Sequence, residues 1–263
     1  RGQGLDFDEL HPYAEGDDVR HIDWNVTART GRPHTRLYRE ERERAVTVCV
    51  DLRRSMFTGS LRLKAVLAAE IAAVLLWSVV ENGDRASAMT VDDRSLQMSR
   101  PALREPGVLD GLALVDRVFQ AGRSTLHEQP TGTLPLDAVI ADINGMRRHG
   151  GAFVLISDCA HLGDKAAQEL ATAGLRRRLV VLRLVDPLEL TGLPVGNYAY
   201  RVPGGSKCAN IDGKTLVTLN EALRMKNEQI AAAFSEFGIP YLAIPTTIQP
   251  SSAWSLLNAH DLL

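Results

Sequence analysis

The chain has 263 residues, 45% of them hydrophobic, with 30 Lys and Arg against 32 Asp and Glu and a formal net charge of -2. These are ordinary values for a globular protein, and the length allows one large domain or two small ones. The balanced charge argues against a general binder of nucleic acid or of anionic membranes, because both classes need a strong basic excess.

Charge is concentrated in residues 1–44, which contain eight arginines and ten acidic residues. The acidic residues dominate residues 1–23, and the arginines dominate residues 24–44. Such a segment builds little core of its own. We therefore predict a charged N-terminal extension that packs on a main domain formed by residues 45–263, with a solvated arm as the alternative.

From residue 45 onward, short apolar strands alternate with helical patterns, which is typical of a mostly parallel sheet flanked by helices. The predicted elements are strand 45–51, helix 62–81, an edge strand pair 86–91 and 96–99, helices near 105–120 and 134–148, strand 152–157, helix 163–173, strand 179–185, helix 219–237, strand 240–245 and a short C-terminal helix. Residues 192–213 form a glycine-containing excursion without a predicted element. The pattern predicts a Rossmann-like, doubly wound α/β domain.

Two acidic residues follow strands that such a sheet places side by side. Asp51 ends the first strand and Asp158 follows the fourth, and the ends of these strands open one crevice at the topological switch point. Ser55 and Thr133 could add hydroxyl groups there. Carboxylate and hydroxyl oxygens suit Mg²⁺. The alternative is that both acids only cap the helices that follow them.

Residues 45–263 resemble a von Willebrand factor A-type domain. The metal-ion-dependent adhesion site of that family has Asp-x-Ser-x-Ser after the first strand, a threonine in a later loop and an aspartate after the fourth strand. The resemblance implies the following site positions in this chain: Asp51, Arg53, Ser55, Thr133 and Asp158. In such sites a carboxylate of the partner completes the coordination shell of the metal.

The chain is also similar to the bacterial DUF58 family, through the long stretch LDFDELHPYAEGDDVRHIDWNVTARTGRPHTRLYREERER. His11 departs from an arginine of the family pattern. The residues that match are Gly16, Asp17, Asp18, Arg20, Ile22, Asp23, Trp24, Ala28, Arg29, Thr30 and Gly31. This resemblance implies a non-enzymatic role beside a MoxR-type AAA ATPase, in chaperone-like maturation or assembly of client proteins.

Arg53 occupies the position of the first ligand serine. A guanidinium group has no lone pair for a metal and stays charged. We predict that Arg53 replaces the cation by pairing with Asp51 and Asp158, which leaves a degenerate site that binds metal poorly and needs no cofactor. In the competing geometry Arg53 points to solvent, and the two acids, Ser55 and Thr133 hold a weakly bound Mg²⁺.

Charged residues also supply the predicted partner-binding surface, which comprises Arg53, Asp17, Asp18, Arg20 and Asp23. The four N-terminal residues of this set could instead form an internal ion-pair lock, and the sequence leaves both alternatives open. Partners of this surface would be the MoxR-type ATPase and client proteins, not nucleic acid.

An enzyme is the alternative function. Dinucleotide-binding and P-loop glycine patterns, the His-Glu-x-x-His metal motif and the Gly-x-Ser-x-Gly elbow are all missing from the sequence. A Mg²⁺-dependent hydrolase or phosphotransfer enzyme that uses Asp51 and Asp158 stays open. That alternative lacks an evident general base in the motifs, so we expect no catalytic residues.

The cysteines indicate the compartment. Three cysteines are too few for a disulfide framework, and Cys49 and Cys159 lie in or beside apolar strands, so we expect a reducing, cytoplasmic environment. No stretch reaches the roughly 18 apolar residues of a membrane span. The sequence begins with Arg1 and not with methionine. The alternative to a cytoplasmic protein is therefore one that associates with the membrane through an N-terminal segment missing from this sequence.

Overall fold

The computed structural model divides into two compact units, Arg1–Glu43 and Arg44–Leu263. Residues whose structure is described are 5–14, 17–40, 44–128, 132, 134–145, 151–160, 162–202 and 205–259. The packing of residues 1–44 on the rest of the chain therefore stays a prediction.

The first unit is a two-stranded sheet with one helix. Strand β1 (Leu5–Pro12) pairs antiparallel with β2 (His34–Glu40), and helix α1 (Trp24–Thr30) lies between them in the chain. Asp23 accepts hydrogen bonds from two backbone N–H groups of the first turn, and Gly31, with φ of 71°, ends the helix in the left-handed conformation. The segment predicted only as a charged extension thus has local structure of its own.

The second unit contains a six-stranded central sheet and a separate two-stranded sheet. Its strands are β3 (Ala45–Asp51), β4 (Arg85–Val91), β5 (Leu96–Met98), β6 (Ala152–Ser157), β7 (Arg178–Val185), β8 (Gly196–Val202), β9 (Gly205–Ile211) and β10 (Tyr241–Pro245). The central order is β10-β7-β6-β3-β4-β5, and all neighbours are parallel except β4 and β5. A mostly parallel sheet with one antiparallel edge strand confirms the predicted fold class.

Helices cover both faces of this sheet. They are α2 (Lys64–Glu81), α3 (Glu105–Ser124), α4 (Leu136–Gly145), α5 (Asp164–Arg176), α6 (Pro187–Thr191), α7 (Gly213–Glu236) and α8 (Ser251–Ala259). Apolar residues of α2, α3 and α8 form the core on one face, and those of α4, α5 and α7 form the core on the other. In the part of the chain described above, no helix combines the length and the apolar character that crossing a membrane requires.

The chain reverses its winding direction at β3. This strand lies between β4 and β6, and the β3–β6 register runs from Val46 opposite Ala152 to Val50 opposite Ile156. The carboxyl ends of β3 and β6 are therefore neighbours at one edge of the sheet. In folds of this kind, that edge is where ligands and partners bind.

Two elements differ from the prediction. The excursion at 192–213 contains the antiparallel hairpin of β8 and β9, and its glycine-containing sequence did not predict these strands. Helix α7 begins at Gly213 instead of residue 219, so the predicted start is wrong. Its early turns are mostly exposed and lack an apolar stripe, while Asp212 caps the helix by accepting a 2.8 Å hydrogen bond from the Thr215 N–H.

Candidate functional site

The acidic residues predicted to share a crevice lie at adjacent strand ends. Asp51 is the last residue of β3, and Asp158 directly follows β6. Both are buried, with 1% and 4% of their surface exposed, respectively. A buried carboxylate must be neutralised or fully hydrogen-bonded, so their partners decide what this edge can bind.

Arg53 is the principal partner of Asp51. Its Nε donates to Asp51 Oδ1 at 2.9 Å, and its Nη2 donates to Oδ2 at 2.6 Å. The Arg53 backbone N–H and the Ser157 hydroxyl donate to the same carboxylate at 3.0 and 2.6 Å. A carboxylate has about four acceptor sites. Four donors thus occupy Asp51.

The Arg53 side chain points into the protein and not to solvent. It is only 1% exposed, and its Nη1 donates to the Leu134 carbonyl at 3.3 Å. Burial alone would lower the pKa of Arg53, but the hydrogen bonds and charge of Asp51, aided by the charge of Asp158, raise it above its ordinary value. The guanidinium group therefore stays charged in this position.

Asp158 is paired with a second cation, Lys64. Lys64 Nζ donates to Asp158 Oδ2 at 2.8 Å and to Glu189 Oε1 at 2.9 Å, and Lys64 is 4% exposed. The Ser55 hydroxyl and the Ala160 N–H donate to Asp158 Oδ1 at 3.2 and 3.0 Å. Burial would raise the pKa of Asp158, but the charge and hydrogen bond of Lys64 hold it below its ordinary value.

Sequence reasoning missed Lys64, although it left a signal. Lys64 is the first residue of α2, where the partial positive charge of the helix N-terminus disfavours a cation. The remainder of that helix is mostly apolar. A lysine in such a place requires a compensating acid, and the sequence alone does not say which acid supplies it.

Hydrogen bonds hold the loop between β3 and α2 at two further points. The Ser60 N–H and hydroxyl donate to the Asp186 carboxylate at 2.6 and 2.7 Å. Arg54 donates to the Thr125 carbonyl at 2.9 Å and to the Glu128 carbonyl at 3.0 Å. These bonds join the loop to the end of β7 and to the end of α3, and so hold the residues of the Asp-x-Arg-x-Ser segment in one geometry.

The backbone is unusual just after Asp158. Cys159 has a φ of 53°, a conformation that non-glycine residues adopt at a cost in free energy. Its N–H donates to the Ser157 hydroxyl at 3.0 Å, and the same hydroxyl donates to Asp51. Burial raises the pKa of the Cys159 thiol to about 12, so it stays protonated.

The carboxylates of the predicted metal site are both already paired with side chains of this protein. Each of the two carboxylates already holds a buried cationic side chain, Arg53 for Asp51 and Lys64 for Asp158. Among the residues whose structure is described, no three His, Cys, Asp or Glu residues group so as to hold a metal. Thr133, the remaining predicted ligand, lies outside the described residues.

The predicted partner-binding residues of the first unit make local contacts. Asp18 pairs with Arg20 at 2.6 Å on the surface, and hydrogen bonds from Arg20 lower the pKa of Asp18. Asp17 accepts a 3.0 Å hydrogen bond from the Ala14 N–H. Asp23 is 8% exposed and caps α1. Asp18 and Arg20 are the most exposed of these four residues, with 38% and 81% of their side chains exposed, against 27% for Asp17.

Sequence comparison gives one family and several relatives. The family described as "Protein of unknown function DUF58" matches residues 9–233. Uncharacterized proteins of Mycobacterium tuberculosis and Mycobacterium bovis are 29% identical over 209 residues, which is 74% of this chain. The chain spans about 60% of the length of these curated relatives.

Solved structures with a similar fold include von Willebrand factor A domains. BatB from Bacteroides thetaiotaomicron aligns with a TM-score of 0.48 and 12% identity over 82% of this chain and 97% of that one. An aerotolerance-related membrane protein from Bacteroides fragilis gives 0.45 and 14%, covering 82% and 96%. The Rpn10 VWA domain gives 0.41 and 12%, covering 82% and 95%.

Proposed function

Because this chain belongs to the DUF58 family of proteins of unknown function, we propose that it is a non-enzymatic protein-interaction module. Its von Willebrand factor A-like fold supports binding to other proteins. The carboxyl edge of its sheet, where β3 and β6 end, is the surface on which a partner would dock.

A degenerate adhesion site is the central feature of this proposal, and the four hydrogen bonds to Asp51 are the observation that carries it. A divalent cation at Asp51 would have to displace the Arg53 guanidinium from a buried, bidentate ion pair. Lys64 supplies the second positive charge, at Asp158. We infer that two fixed cations take the place of the metal, so partner binding does not depend on Mg²⁺.

The proposed partner is an AAA ATPase of the MoxR type, with client proteins matured or assembled by the pair. This part rests on the family resemblance of residues 5–44 and 45–263. The protein would then act in the cytoplasm or at a membrane to which another segment attaches it. Cys49 and Cys159 are buried free thiols, which suits a reducing compartment.

Affinity purification tests the partner. The full-length protein, tagged and expressed in its native cell, should retain a MoxR-type ATPase during purification, and added EDTA should leave the amount unchanged. A variant that disturbs only the exposed Asp18–Arg20 pair provides the comparison within the first unit. Loss of the ATPase on chelation would contradict a metal-free interaction, and absence of any such ATPase would contradict the proposed partner.

Two measurements test the degenerate site and the enzymatic alternative. Calorimetric titration measures metal binding, and a hydrolysis assay measures activity on phosphoesters. We expect the chain to show no submillimolar binding of Mg²⁺ or Mn²⁺ and no hydrolysis of generic phosphoesters. Submillimolar binding that Asp51→Ala abolishes would contradict the degenerate site. Phosphoester hydrolysis with Mg²⁺ that is lost in Asp51→Ala would favour the enzyme.

A further inference from the structure

An open groove lies at the amino edge of the central sheet, opposite the edge where Asp51 and Asp158 lie. This amino-edge groove has a volume of about 520 Å³ and is bounded by the end of α5, the start of β7 and the turn that joins α7 to β10. Its apolar lining consists of Leu170, Leu175, Leu179, Phe237, Ile239 and Pro240. The site described above uses none of these residues, so the groove is a separate feature of the second unit.

The turn after α7 positions one apolar wall of the amino-edge groove. Gly238 has a φ of 61° and ends the helix in the left-handed conformation. The Ile239 N–H then donates to the Phe234 carbonyl at 2.8 Å, and the Gly238 N–H donates to the Ser235 carbonyl at 3.3 Å. These bonds occupy two carbonyl groups at the end of α7, which would otherwise disfavour an anion. They also hold Phe237 and Ile239 in the wall of the groove.

Arginines supply the charge of the amino-edge groove. Arg177 and Arg178 both contribute to its lining, and Arg178 is exposed while Arg177 is half-buried. Arg176 adjoins them in the chain and is exposed. Burial and the positive charge of Arg176 lower the pKa of Arg177. Among the described residues, the lining contains no acidic side chain, so the groove favours a negatively charged occupant.

Leu175 extends the apolar surface of the groove towards solvent. It is 89% exposed, although it lies in the last turn of α5 beside a concave apolar floor. An apolar centre with arginines around it is typical of protein–protein interfaces, where arginine is enriched. A site for a small ligand, in contrast, encloses most of the ligand surface. The open shape of the groove therefore favours a segment of another protein.

We propose that the amino-edge groove binds a segment of a partner protein in which acidic residues adjoin large apolar residues. The apolar side chains of the segment would pack on Leu179 and Ile239, and its carboxylates would pair with Arg177 and Arg178. A basic segment would be repelled by the three consecutive arginines. The groove lies at the edge of the sheet opposite to the docking surface proposed above, so it is a second binding surface that goes beyond that function.

Fluorescence anisotropy with a labelled synthetic peptide of alternating Glu and Leu residues tests the groove. We expect saturable binding of this peptide to the chain. A peptide with Gln in place of every Glu, and another with Ala in place of every Leu, should each bind about tenfold more weakly or less, because each lacks one of the two complementary features. Equal binding of all three peptides, or no saturable binding, would overturn the proposal.

A membrane surface is the other class of occupant that arginines beside an exposed leucine could meet. Vesicles of phosphatidylserine and phosphatidylcholine test it by sedimentation with the chain. We expect the chain to bind the Glu–Leu peptide in solution without vesicles. Binding to the vesicles without binding to the peptide would overturn the proposal and assign the groove to anionic lipid.

A variant that fills the groove shows whether the peptide binds there. Gly174 of α5 contributes to the lining, and within 4 Å a Cβ added there would meet only the Leu179 Cβ, at 4.0 Å. Gly174→Leu should therefore weaken peptide binding about tenfold or more. Its melting temperature should stay equal or rise, because leucine favours a helix more than glycine does. Unchanged peptide binding in Gly174→Leu would overturn the proposal.

A pair of charge reversals separates the groove from general attraction between charges. Arg178→Glu should weaken peptide binding about tenfold. Arg94→Glu makes the same change in net charge at an exposed arginine between β4 and β5, and it should leave peptide binding nearly unchanged. An equal loss in both variants would contradict binding in the groove. No ATPase takes part in these measurements, so their failure is distinct from failure of the function proposed above.

Discussion

Arg53 shows how one side chain decides what a buried carboxylate can bind. Its guanidinium occupies acceptor sites of Asp51 from inside the protein. The pair is almost completely buried, with side-chain exposures of 1% and 2%. Loss of either member of such a pair strongly destabilises a protein, because the remaining charge is then buried without a counter-charge and without contact with water.

Removal of the Arg53 side chain should therefore destabilise the folded state. We expect Arg53→Met to lower the free energy of unfolding by about 3–5 kcal/mol, since Asp51 is then buried without its counter-charge. Urea unfolding at neutral pH measures this. Arg224→Met is the matched control, because the Arg224–Glu228 pair is 65% and 61% exposed and should contribute about 0.5 kcal/mol or less. Equal, small losses in both variants would contradict the buried pair.

Removal of both fixed cations should create a metal site. The double variant Arg53→Ser and Lys64→Ala frees the carboxylates of Asp51 and Asp158, and the Ser55 hydroxyl already contacts Asp158. We expect this variant to bind Mn²⁺ in calorimetric titration where the unsubstituted chain does not. Adding Asp158→Ala should abolish the binding. Failure of the double variant to bind Mn²⁺ would show that these positions lack a complete ligand set.

Asp186 gives a pH dependence with a defined sign. Burial would raise its pKa, but hydrogen bonds from Ser60 and Leu188 hold it below the ordinary value. A lowered folded-state pKa adds stability above the unfolded pKa of about 3.9, and this is lost as pH falls through the folded value. Asp186→Asn should therefore be less stable than the unsubstituted chain at pH 7, with the difference shrinking below about pH 4. Urea unfolding across pH 2–7 measures it, and a constant difference would contradict this account.

At the scale of elements, close packing fixes how α3 meets the edge of the sheet. Gly107, in the first turn of α3, is buried, and an added Cβ would lie 2.0 Å from the Ala102 Cβ. Ala102 in turn pairs with Ala86 of β4 through an isolated bridge. The glycine is thus required by the short distance between α3 and the chain segment that leads into it.

Gly107→Ala should consequently destabilise the second unit by about 1–3 kcal/mol, the usual range for overpacking. Gly213→Ala is the control, because no atom lies within 4 Å of a Cβ added there. Denaturant unfolding of both variants gives the comparison. The double variant Gly107→Ala with Ala102→Gly should recover most of the loss, and no recovery would mean that another contact is responsible.

Elements were predictable where periodicity was strong. The buried strands β3, β6 and β7 and the apolar helix α2 follow from their hydrophobic runs. The hairpin at 196–211 and the first turns of α7 could not be predicted in this way, because their polar and glycine-containing sequence has no clear hydrophobic period. Local hydrogen bonds, such as the Asp212 cap, decided those boundaries instead.

At the scale of the whole molecule, the surface of the first unit offers a partner an exposed ion pair, Asp18–Arg20, with 38% and 81% of the side chains exposed. Surface pairs of this kind contribute little to stability. We expect Asp18→Ala with Arg20→Ala to leave the melting temperature nearly unchanged and to weaken co-purification of the ATPase. A clear drop in melting temperature with binding intact would favour the alternative of an internal lock.

The amino-acid sequence was sufficient for the fold class and for placing Asp51 and Asp158 at adjacent strand ends. Hydrophobic periodicity specifies a doubly wound sheet, and the order of strands then brings Asp51 and Asp158 to one edge, because parallel neighbours end together. What occupies those carboxylates depended on tertiary structure. Lys64 reaches Asp158 and Ser157 reaches Asp51 from other segments of the chain, and Glu189 accepts a hydrogen bond from the same Lys64. An ion pair between residues distant in sequence leaves no period or motif, so only the folded geometry shows that Lys64 pairs with Asp158 while Arg53 pairs with Asp51.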